Sequence, residues 1–384
     1  MMKLRSKIYL LMMTLIASSL VISCGIVGGG TTTVKIGLLS PQTGPIAVYA
    51  PGFEDSANVA ISKLNEDNED YVFELIVVDS GCDGTAAATS AQALIDSGVS
   101  GIVGAACSGA TLGAIAVAAP AGVPMVSYAS TSPAITTAAD DGYLFRVVPS
   151  DAQQSVALAD VVKSMGSSNP AALYMTNDYG AGLGENFKAA MGNLCTEIGY
   201  DPTEGSYDAS TLAQAVVDGG CDSVVLMSYA TDGAAIMEEL LSQGFSGSLY
   251  GADGLADAAL LESFTDTAAV DGLVATKPRP GESSTAKSTF ETAYAAAGGN
   301  AEGIYTNETY DAVNLIAAAV MADSNDDLRD DLASLGSNYD GASGVHSFDS
   351  NGDVSGTGYE ICDFSGTSFS CSKIWTSGGG VASK

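Results

Sequence analysis

The 384-residue sequence contains one histidine and one tryptophan, and only 7% of its residues are aromatic. The single histidine, His346, gives no basis for a multi-histidine metal site or a histidine-based catalytic triad. No two cysteines have the CxxC spacing of a zinc or redox site. We therefore expect no metal, no cofactor and no enzymatic activity. Since 46% of the residues are hydrophobic, we expect sizeable cores built mainly from Ala, Val, Leu and Ile.

Basic residues are also scarce. The chain has 14 Lys and Arg against 45 Asp and Glu, which gives a formal net charge of −31. A surface with this charge repels nucleic acid and anionic membranes, so we expect neither as a binding partner. The acidic residues are dispersed along the chain, and we interpret them as a solvated surface rather than as a binding site.

The amino terminus has the pattern of an export signal. Lys3, Arg5 and Lys7 precede the apolar segment "IYLLMMTLIASSLVIS", which is short for a membrane span. The segment ends in "LVISCG", which resembles a lipobox, the signal for cleavage before a cysteine that carries lipid. We expect a signal peptide over 1–23, a lipid anchor on Cys24 and a flexible tether over 24–33. The alternative is an ordinary signal peptide with an incidental cysteine.

Six cysteines remain if Cys24 is lipidated, an even number that suits an oxidising compartment. Six cysteines allow 15 pairings. Closeness along the chain favours three of them: Cys82–Cys107, Cys195–Cys221 and Cys362–Cys371.

Two series of alternating strand and helix patterns follow the tether. The first runs from the strand "TVKIGLLS" to the strand "VPMVSYAS", and the second begins after "YLFRVVPSD". Alternation of this kind predicts parallel sheets with helices on both faces. The sequence therefore predicts an α/β protein with two lobes, and the tail predicts short strands joined by Gly and Asn turns.

Hydroxyl side chains follow two consecutive strands of the first series. Ser108 comes after the strand "VSGIVGAA" and before a helix, and Ser130, Thr131 and Ser132 follow the next strand, before Pro133. Open α/β sheets bind ligands beyond the carboxyl ends of their strands, where helix N-termini point. The two strand ends together predict a cradle for one polar head group, although each serine alone is equally consistent with a simple helix cap.

Several ordered stretches resemble the periplasmic solute-binding proteins of branched-chain amino acid ABC transporters, the leucine/isoleucine/valine-binding family. The resemblance covers about residues 34–376. It rests on the stretches "VKIGLLSPQTGPIAVYAPG", "VVDSGCDGTAAATSAQALIDSGVSGIVGAACSGAT", "VPMVSYASTSPAIT", "YLFRVVPSDAQQS", "TNDYGAGLGENF" and "YGADGLAD".

The resemblance implies a type I periplasmic binding fold, with two Rossmann-like lobes joined by a three-crossover hinge. One lobe would comprise 34–148 plus 275–342, the other 149–274 plus 343–376, followed by a tail over 377–384. The family's disulfide near the ligand-binding serine corresponds to Cys82 and Cys107. By this likeness the disulfide holds the Ser108 loop in place.

The resemblance also implies the ligand contacts. Ser108 and Thr131 would bind an α-carboxylate, and the carbonyl of Ser130 together with Asp253 would receive an α-ammonium group. Asp253 stands where the family's turn has a glutamate, so its side chain is one methylene shorter. Three tyrosines fall at positions that line the family's pocket: Tyr49, Tyr179 and Tyr229.

The expected function is that of an extracytoplasmic lipoprotein, held at the periplasmic membrane or cell surface through Cys24. It would capture a small amino acid, branched-chain or related, between its lobes and deliver it to the membrane permease of an ABC transporter. We expect a monomer. The alternative is an envelope lipoprotein of the same fold that acts as a sensor or a regulator of cell-wall synthesis, which would not need Ser108, Thr131 and Asp253 together.

Lipidation at Cys24 is directly testable. Labelling of exporting cells with a radioactive fatty acid should mark the wild-type protein and leave Cys24→Ala unlabelled, because the thiol is the acceptor. Equal labelling of both proteins would contradict the lipoprotein prediction. Export of Cys24→Ala, followed with an antibody, controls for loss of the protein itself.

Overall fold

The computed structural model describes residues 31–203, 205–300, 303–324 and 327–384. The expected signal peptide and Cys24 lie outside the described residues. The first strand begins at Thr32, so it includes the last two residues of the expected tether. Within the described residues, no helix is both long and apolar enough to cross a membrane.

The first sheet has five parallel strands in the order β2-β1-β3-β4-β5. Its helices connect consecutive strands and cover the sheet, as parallel pairing requires. The elements are β1 (Thr32–Ser40), α1 (Ala50–Asp67), β2 (Tyr71–Asp79), α2 (Gly84–Asp96), β3 (Gly101–Val103), α3 (Ser108–Ala118), β4 (Met125–Ser127), α4 (Pro133–Thr136) and β5 (Leu144–Arg146).

The second sheet has eight strands in the order β15-β14-β13-β10-β9-β8-β6-β7. Strands β6 to β10 pair in parallel, whereas β13 to β15 pair antiparallel. Its first part comprises α5 (Asp151–Ser164), β6 (Pro170–Met175), α6 (Asp178–Met191), β7 (Thr196–Tyr200), α7 (Ala209–Gly219), β8 (Ser223–Met227), α8 (Ala230–Ser242), β9 (Ser248–Gly251) and β10 (Leu273–Pro278).

The chain then returns to the first sheet before ending in the second. The returning elements are α9 (Thr285–Ala296), α10 (Thr306–Ala322), α11 (Leu328–Leu335), β11 (Ser337–Asp340) and β12 (Val345–Ser347), and the last strands are β13 (Tyr359–Ser365), β14 (Ser368–Thr376) and β15 (Gly380–Ser383). Three connections therefore join the lobes, after β5, β10 and β12. The predicted α/β fold with two mainly parallel sheets is confirmed.

Two of the boundaries expected from the sequence do not coincide with the ends of strands in the sheets. The expected lobe boundary between residues 274 and 275 falls inside β10, which is buried along its whole length between β9 and β13. The segment expected to be a tail contains β15, which pairs with β14 from Lys373 to Thr376. Strand pairing across a sheet depends on residues distant in sequence, and a local pattern does not reveal it.

Close helix packing fixes the loop that carries Ser108. A Cβ atom added at Gly113 of α3 would lie 2.1 Å from the carbonyl oxygen of Gly84 at the start of α2. Only glycine permits this approach. The disulfide between Cys82 and Cys107 joins the residues just before the same two helices, with Cα atoms 5.3 Å apart. The structure also contains the disulfides Cys195–Cys221 and Cys362–Cys371, so all three favoured pairings are present.

The single histidine does lie beside a serine and an aspartate. His346 Nε2 is 2.9 Å from Ser343 Oγ and 3.0 Å from Asp311 Oδ2. Both contacts use the same ring nitrogen, whereas a catalytic relay needs one nitrogen for each partner. Asp311 also accepts the backbone N–H groups of Ala342 and Ser343, so the cluster anchors this turn to α10.

Arg146, at the end of β5, is fully buried. It links the first and the third of the three chain segments that join the lobes. Its guanidinium forms a two-point ion pair with Asp353, with Nε–Oδ1 at 2.6 Å and Nη2–Oδ2 at 2.8 Å. Nη1 donates to the carbonyl oxygens of Ser130 and Ser132 at 3.3 and 2.9 Å. The ion pair thus positions the loop that was predicted to hold the ligand.

Removal of this cation should be costly. Arg146→Met leaves the carboxylate of Asp353 largely buried without its partner, and we expect a loss of about 3–5 kcal/mol in unfolding free energy. Arg329→Met is the matched control, because Arg329 pairs with Asp327 and Asp330 at a partly exposed site. It should cost about 1 kcal/mol or less. Urea unfolding at pH 7 measures both, and equal losses would contradict the assigned role of Arg146.

Candidate ligand-binding site

A small cavity lies between the lobes, beyond the carboxyl ends of strands from both sheets. Its volume is about 20 Å³, which is room for about one water molecule. An amino acid therefore enters this site only when the lobes separate. The cavity is lined by Ile46, Tyr49, Phe53, Ala106, Ala129, Tyr179, Tyr229, Asp253, Gly254, Ile304 and Tyr305.

The first lobe contributes Ser108 at the start of α3. Cys107, not Ser108, is the N-cap residue, so the reading of Ser108 as a helix cap is wrong. Ser108 is buried and its Oγ accepts the backbone N–H of Ser132 at 3.3 Å. Because Ser108 is the first residue of the helix, its N–H belongs to the positive end of the helix dipole. Hydroxyl and helix terminus together suit an anionic group.

The Ser130–Ser132 turn lies against the same helix. The Thr131 hydroxyl is buried and forms no hydrogen bond of regular geometry with a described residue, but it lies close enough to Asp151 to lower the pKa of that carboxyl group. Ser130 Oγ forms a hydrogen bond with Thr111 Oγ1 at 2.7 Å, and the Ser130 carbonyl oxygen accepts a hydrogen bond from Arg146 Nη1. Ser132 is a helix cap, as its Oγ accepts from the N–H of Ala134. Thr131 is therefore the hydroxyl of this turn that is most available to bind a ligand.

The second lobe contributes Asp253, directly after β9. Its Oδ1 accepts from the Tyr179 hydroxyl at 2.7 Å, and its Oδ2 accepts from the Tyr305 hydroxyl at 2.7 Å. Burial raises the pKa of Asp253, and the two tyrosine hydrogen bonds oppose this shift. Tyr305 was missed in the sequence because it precedes α10, far along the chain from the other site residues.

Asp151 is a second buried acid that the sequence reading missed. It is the first residue of α5 and is completely buried, and neither carboxylate oxygen has a hydrogen-bond partner among the described residues. Burial raises the pKa of Asp151 and the charge of Asp253 raises it further, while Thr131 and Arg146 oppose the shift. An aspartate at a helix start is ordinarily explained by the helix dipole, so its local sequence does not mark Asp151 as a site residue.

The three predicted tyrosines are all buried in this region. The Tyr49 hydroxyl donates across the lobes to the carbonyl of Gly254 at 3.1 Å. The Tyr179 and Tyr229 rings stack at 4.8 Å between centroids with an interplanar angle of 9°. Two further contacts cross between the lobes, from Ser132 Oγ to the carbonyl of Asp178 and from Thr231 N–H to that of Pro45. The site thus combines an anion-binding side, an acidic side and an apolar aromatic wall.

Comparison with known proteins identifies the family. Residues 53–367 match the family model described as the receptor family ligand binding region. The chain belongs to this family. The resemblance drawn from the sequence is confirmed, and membership of this ligand-binding family supports a protein that binds rather than catalyses.

Among family relatives, the chain is 24% identical over 340 residues to the leucine-, isoleucine-, valine-, threonine- and alanine-binding protein of Pseudomonas aeruginosa, covering 86% of this chain and 90% of that protein. It is 27% identical over 241 residues to the Leu/Ile/Val-binding protein homolog 3 of Brucella melitensis, covering 61% of this chain and 64% of that protein.

Solved structures share the fold of this family member. The substrate-binding protein LivJ of Streptococcus pneumoniae, in complex with isoleucine, superposes with a TM-score of 0.80 at 22% identity, covering 90% of this chain and 100% of that one. The leucine-binding protein LivK of Thermotoga maritima gives a TM-score of 0.79 at 24% identity, covering 89% and 98%.

A buried hydrogen-bond network around Asp232 supports Tyr229, one of the two stacked tyrosines. Asp232, in the first turn of α8, accepts the Tyr229 N–H at 3.2 Å and the Tyr200 hydroxyl, which also contacts Ser228 Oγ at 2.7 Å. Burial raises the pKa of Asp232 from 3.8 to about 7, although hydrogen bonds from Tyr200 and from the backbone of Asp232 and Tyr229 oppose the shift. Asp232 therefore holds Tyr229 in place with a carboxyl group that is half protonated near neutral pH.

This raised pKa makes stability depend on pH. The folded protein keeps the Asp232 proton up to about pH 7, whereas the unfolded chain loses it near 3.8, so unfolding free energy falls as pH rises between these values. Asp232→Asn does not titrate. We expect its unfolding free energy, relative to that of wild type, to increase by about 2–3 kcal/mol between pH 5 and pH 8, because wild type loses stability over this range. Urea unfolding at both pH values measures the difference, and the exposed Asp70→Asn is the control. A pH-independent difference would contradict the shifted pKa.

Proposed function

We propose that the protein is an extracytoplasmic solute-binding lipoprotein. It captures a small amino acid with an apolar side chain between its lobes and delivers it to an ABC transporter permease. The observation that carries this proposal is the pair of buried acids, Asp151 and Asp253, in the region that also holds the buried hydroxyls of Ser108 and Thr131. Asp253 lines the cavity, and Asp151 lies beside Thr131, whose carbonyl oxygen accepts the Asp151 N–H at 2.8 Å. A zwitterionic head group matches this arrangement of charge.

The head group binds through its two charged ends. The carboxylate lies at Ser108 and Thr131, where a helix N-terminus and a hydroxyl without a regular hydrogen bond favour an anion. The ammonium lies at Asp253 and Asp151. Burial of these two acids without a cation is unfavourable, and a bound ammonium group supplies the missing positive charge.

The ligand side chain faces apolar and aromatic groups. Among the residues that line the cavity, Asp253 alone is charged. A charged ligand side chain would lie there without a partner, which disfavours lysine, arginine, aspartate and glutamate. This lining supports a branched-chain or related apolar ligand, in agreement with the names of the relatives.

Capture involves closure of the lobes. Ser108 and Thr131 belong to the first lobe, and Asp253, Tyr179 and Tyr229 to the second. A ligand that contacts both lobes favours the closed state, because those contacts are incomplete when the lobes are apart. The protein acts as a monomer tethered through lipid on Cys24, at the periplasmic membrane or cell surface. The joint presence of Ser108, Thr131 and Asp253 favours solute capture over the alternative of a same-fold regulator.

Calorimetric titration against a panel of amino acids tests the head-group assignment. Asp253→Asn removes one partner of a buried charge pair, and we expect a loss of about 3–5 kcal/mol, or a few hundred-fold or more in affinity. Ser108→Ala should cost less, about 1–3 kcal/mol, because backbone N–H groups still hold the carboxylate.

The exposed Asp70→Asn keeps wild-type affinity and serves as the matched control. An analogue that lacks the amine should bind Asp253→Asn and wild type with similar affinity. If Asp253→Asn binds its best amino acid as tightly as wild type, the ammonium site and the amino acid ligand are both wrong.

A further inference from the structure

A second cavity lies at the hinge, next to the ligand-binding site. Its volume is about 140 Å³, similar to the roughly 150 Å³ cavity that holds benzene in an engineered protein. Its walls come from the connection after β10 at Pro278 and Pro280, from the start of α10, and from β13 and β14 of the second sheet. Elements of both lobes therefore enclose it.

Charged side chains of both signs line this hinge cavity, since Glu291, Glu308 and Glu360 lie there together with three lysines. Three of the chain's 14 basic residues line it: Lys277, Lys287 and Lys384. Two of them neutralise the buried Glu360, with Nζ–Oε distances of 3.9 Å from Lys277 and 2.5 Å from Lys384. Among the described residues, the Lys287 ammonium group has one polar contact, to the carbonyl oxygen of Gly281 at 3.3 Å. The lining therefore offers both cationic and anionic partners to a molecule inside the cavity.

The same cavity contains buried acceptors without donors. Glu308 is only 7% exposed, yet its carboxyl group makes no hydrogen bond or ion pair with any other described residue. Asn307 is 6% exposed and its Oδ1 has no hydrogen-bond partner among the described residues. Burial raises the pKa of Glu308 to about 7, and the charge of Asp311 adds to this shift. A buried acceptor that lacks a donor is destabilising, so both side chains favour a donor group inside the cavity.

We infer that the hinge cavity binds a second small zwitterion of about the size of glycine or alanine. Its ammonium group donates to Glu308 and Asn307, and its carboxylate faces Lys287. The site is separate from the one proposed for transport, because it uses neither Asp253 nor Ser108.

Occupancy of the hinge cavity is coupled to the ligand-binding site through Tyr305. Ile304 and Tyr305 line both cavities, and the Tyr305 hydroxyl donates to Asp253 at 2.7 Å. A zwitterion at Glu308 holds the first turn of α10 and, with it, the Tyr305 side chain. The walls belong to both lobes, so the occupant binds the closed state more tightly. By linkage, each ligand then raises the affinity of the other by the same factor.

Equilibrium dialysis with radiolabelled glycine tests the site on the whole protein. Asp253→Asn, which disables the ligand-binding site, should retain one equivalent of bound glycine. Glu308→Gln should weaken glycine binding at least tenfold, because a charge-assisted hydrogen bond is lost. Lys287→Met should weaken it by a similar factor, and the exposed Glu69→Gln should leave it unchanged.

Each other outcome is decisive. Glycine binding that is lost in Asp253→Asn and kept in Glu308→Gln would place glycine at the ligand-binding site and overturn the inference. Absence of bound glycine in both wild type and Asp253→Asn would overturn it as well. Circular dichroism tests whether Glu308→Gln is folded. If it is not, the glycine affinity of Lys287→Met tests the site independently. Failure of the proposed transport function is distinguishable from this. In that case wild type would not bind leucine, whereas Asp253→Asn would still bind glycine in the hinge cavity.

Discussion

The site depends above all on two carboxyl groups that carry charge in water and are buried here without an ion-pair partner among the described residues. Asp151 begins the second lobe's first helix, and Asp253 follows its central strand β9, so the topology of the sheet brings together residues about a hundred positions apart. Water stabilises such charges when the lobes are apart, and closure removes that water. A closed state is therefore favourable only if something inside supplies positive charge or protons. This links the chemistry of the ligand to the conformation of the whole protein.

Arg146 lies close to this acidic pair without neutralising it. Its guanidinium is held by Asp353 and by two backbone carbonyls of the turn that contains Thr131. The arginine therefore has a scaffold role, since it fixes the turn and joins the first and third connections of the hinge. Because the guanidinium N–H groups of Arg146 already donate to these partners, Asp151 and Asp253 can bind a positively charged ligand group.

Local patterns predicted much of the architecture and part of the site. Alternating strands and helices, together with hydroxyls at strand ends, predicted Ser108 and Thr131 as ligand contacts, and the family resemblance added Asp253 and the tyrosines. Of these residues, Asp253, Tyr49, Tyr179 and Tyr229 line the cavity between the lobes. The position of β10 within its sheet and the pairing of β15 depend on long-range contacts. Asp151 and Tyr305 were missed for a similar reason. Each looks ordinary in its local sequence, and only the meeting of distant segments makes it part of the site.

The close approach of α2 and α3 at Gly84 and Gly113, with the disulfide before both helices, has a consequence for how ligands are distinguished. The disulfide and the close helix approach restrain the loop that holds Ser108. If this loop binds the carboxylate as proposed, little conformational entropy is lost there on binding, and every amino acid presents the same group to it. Selection among ligands thus occurs later, during closure of the second lobe, and differences in affinity are expressed mainly as differences in the rate of release.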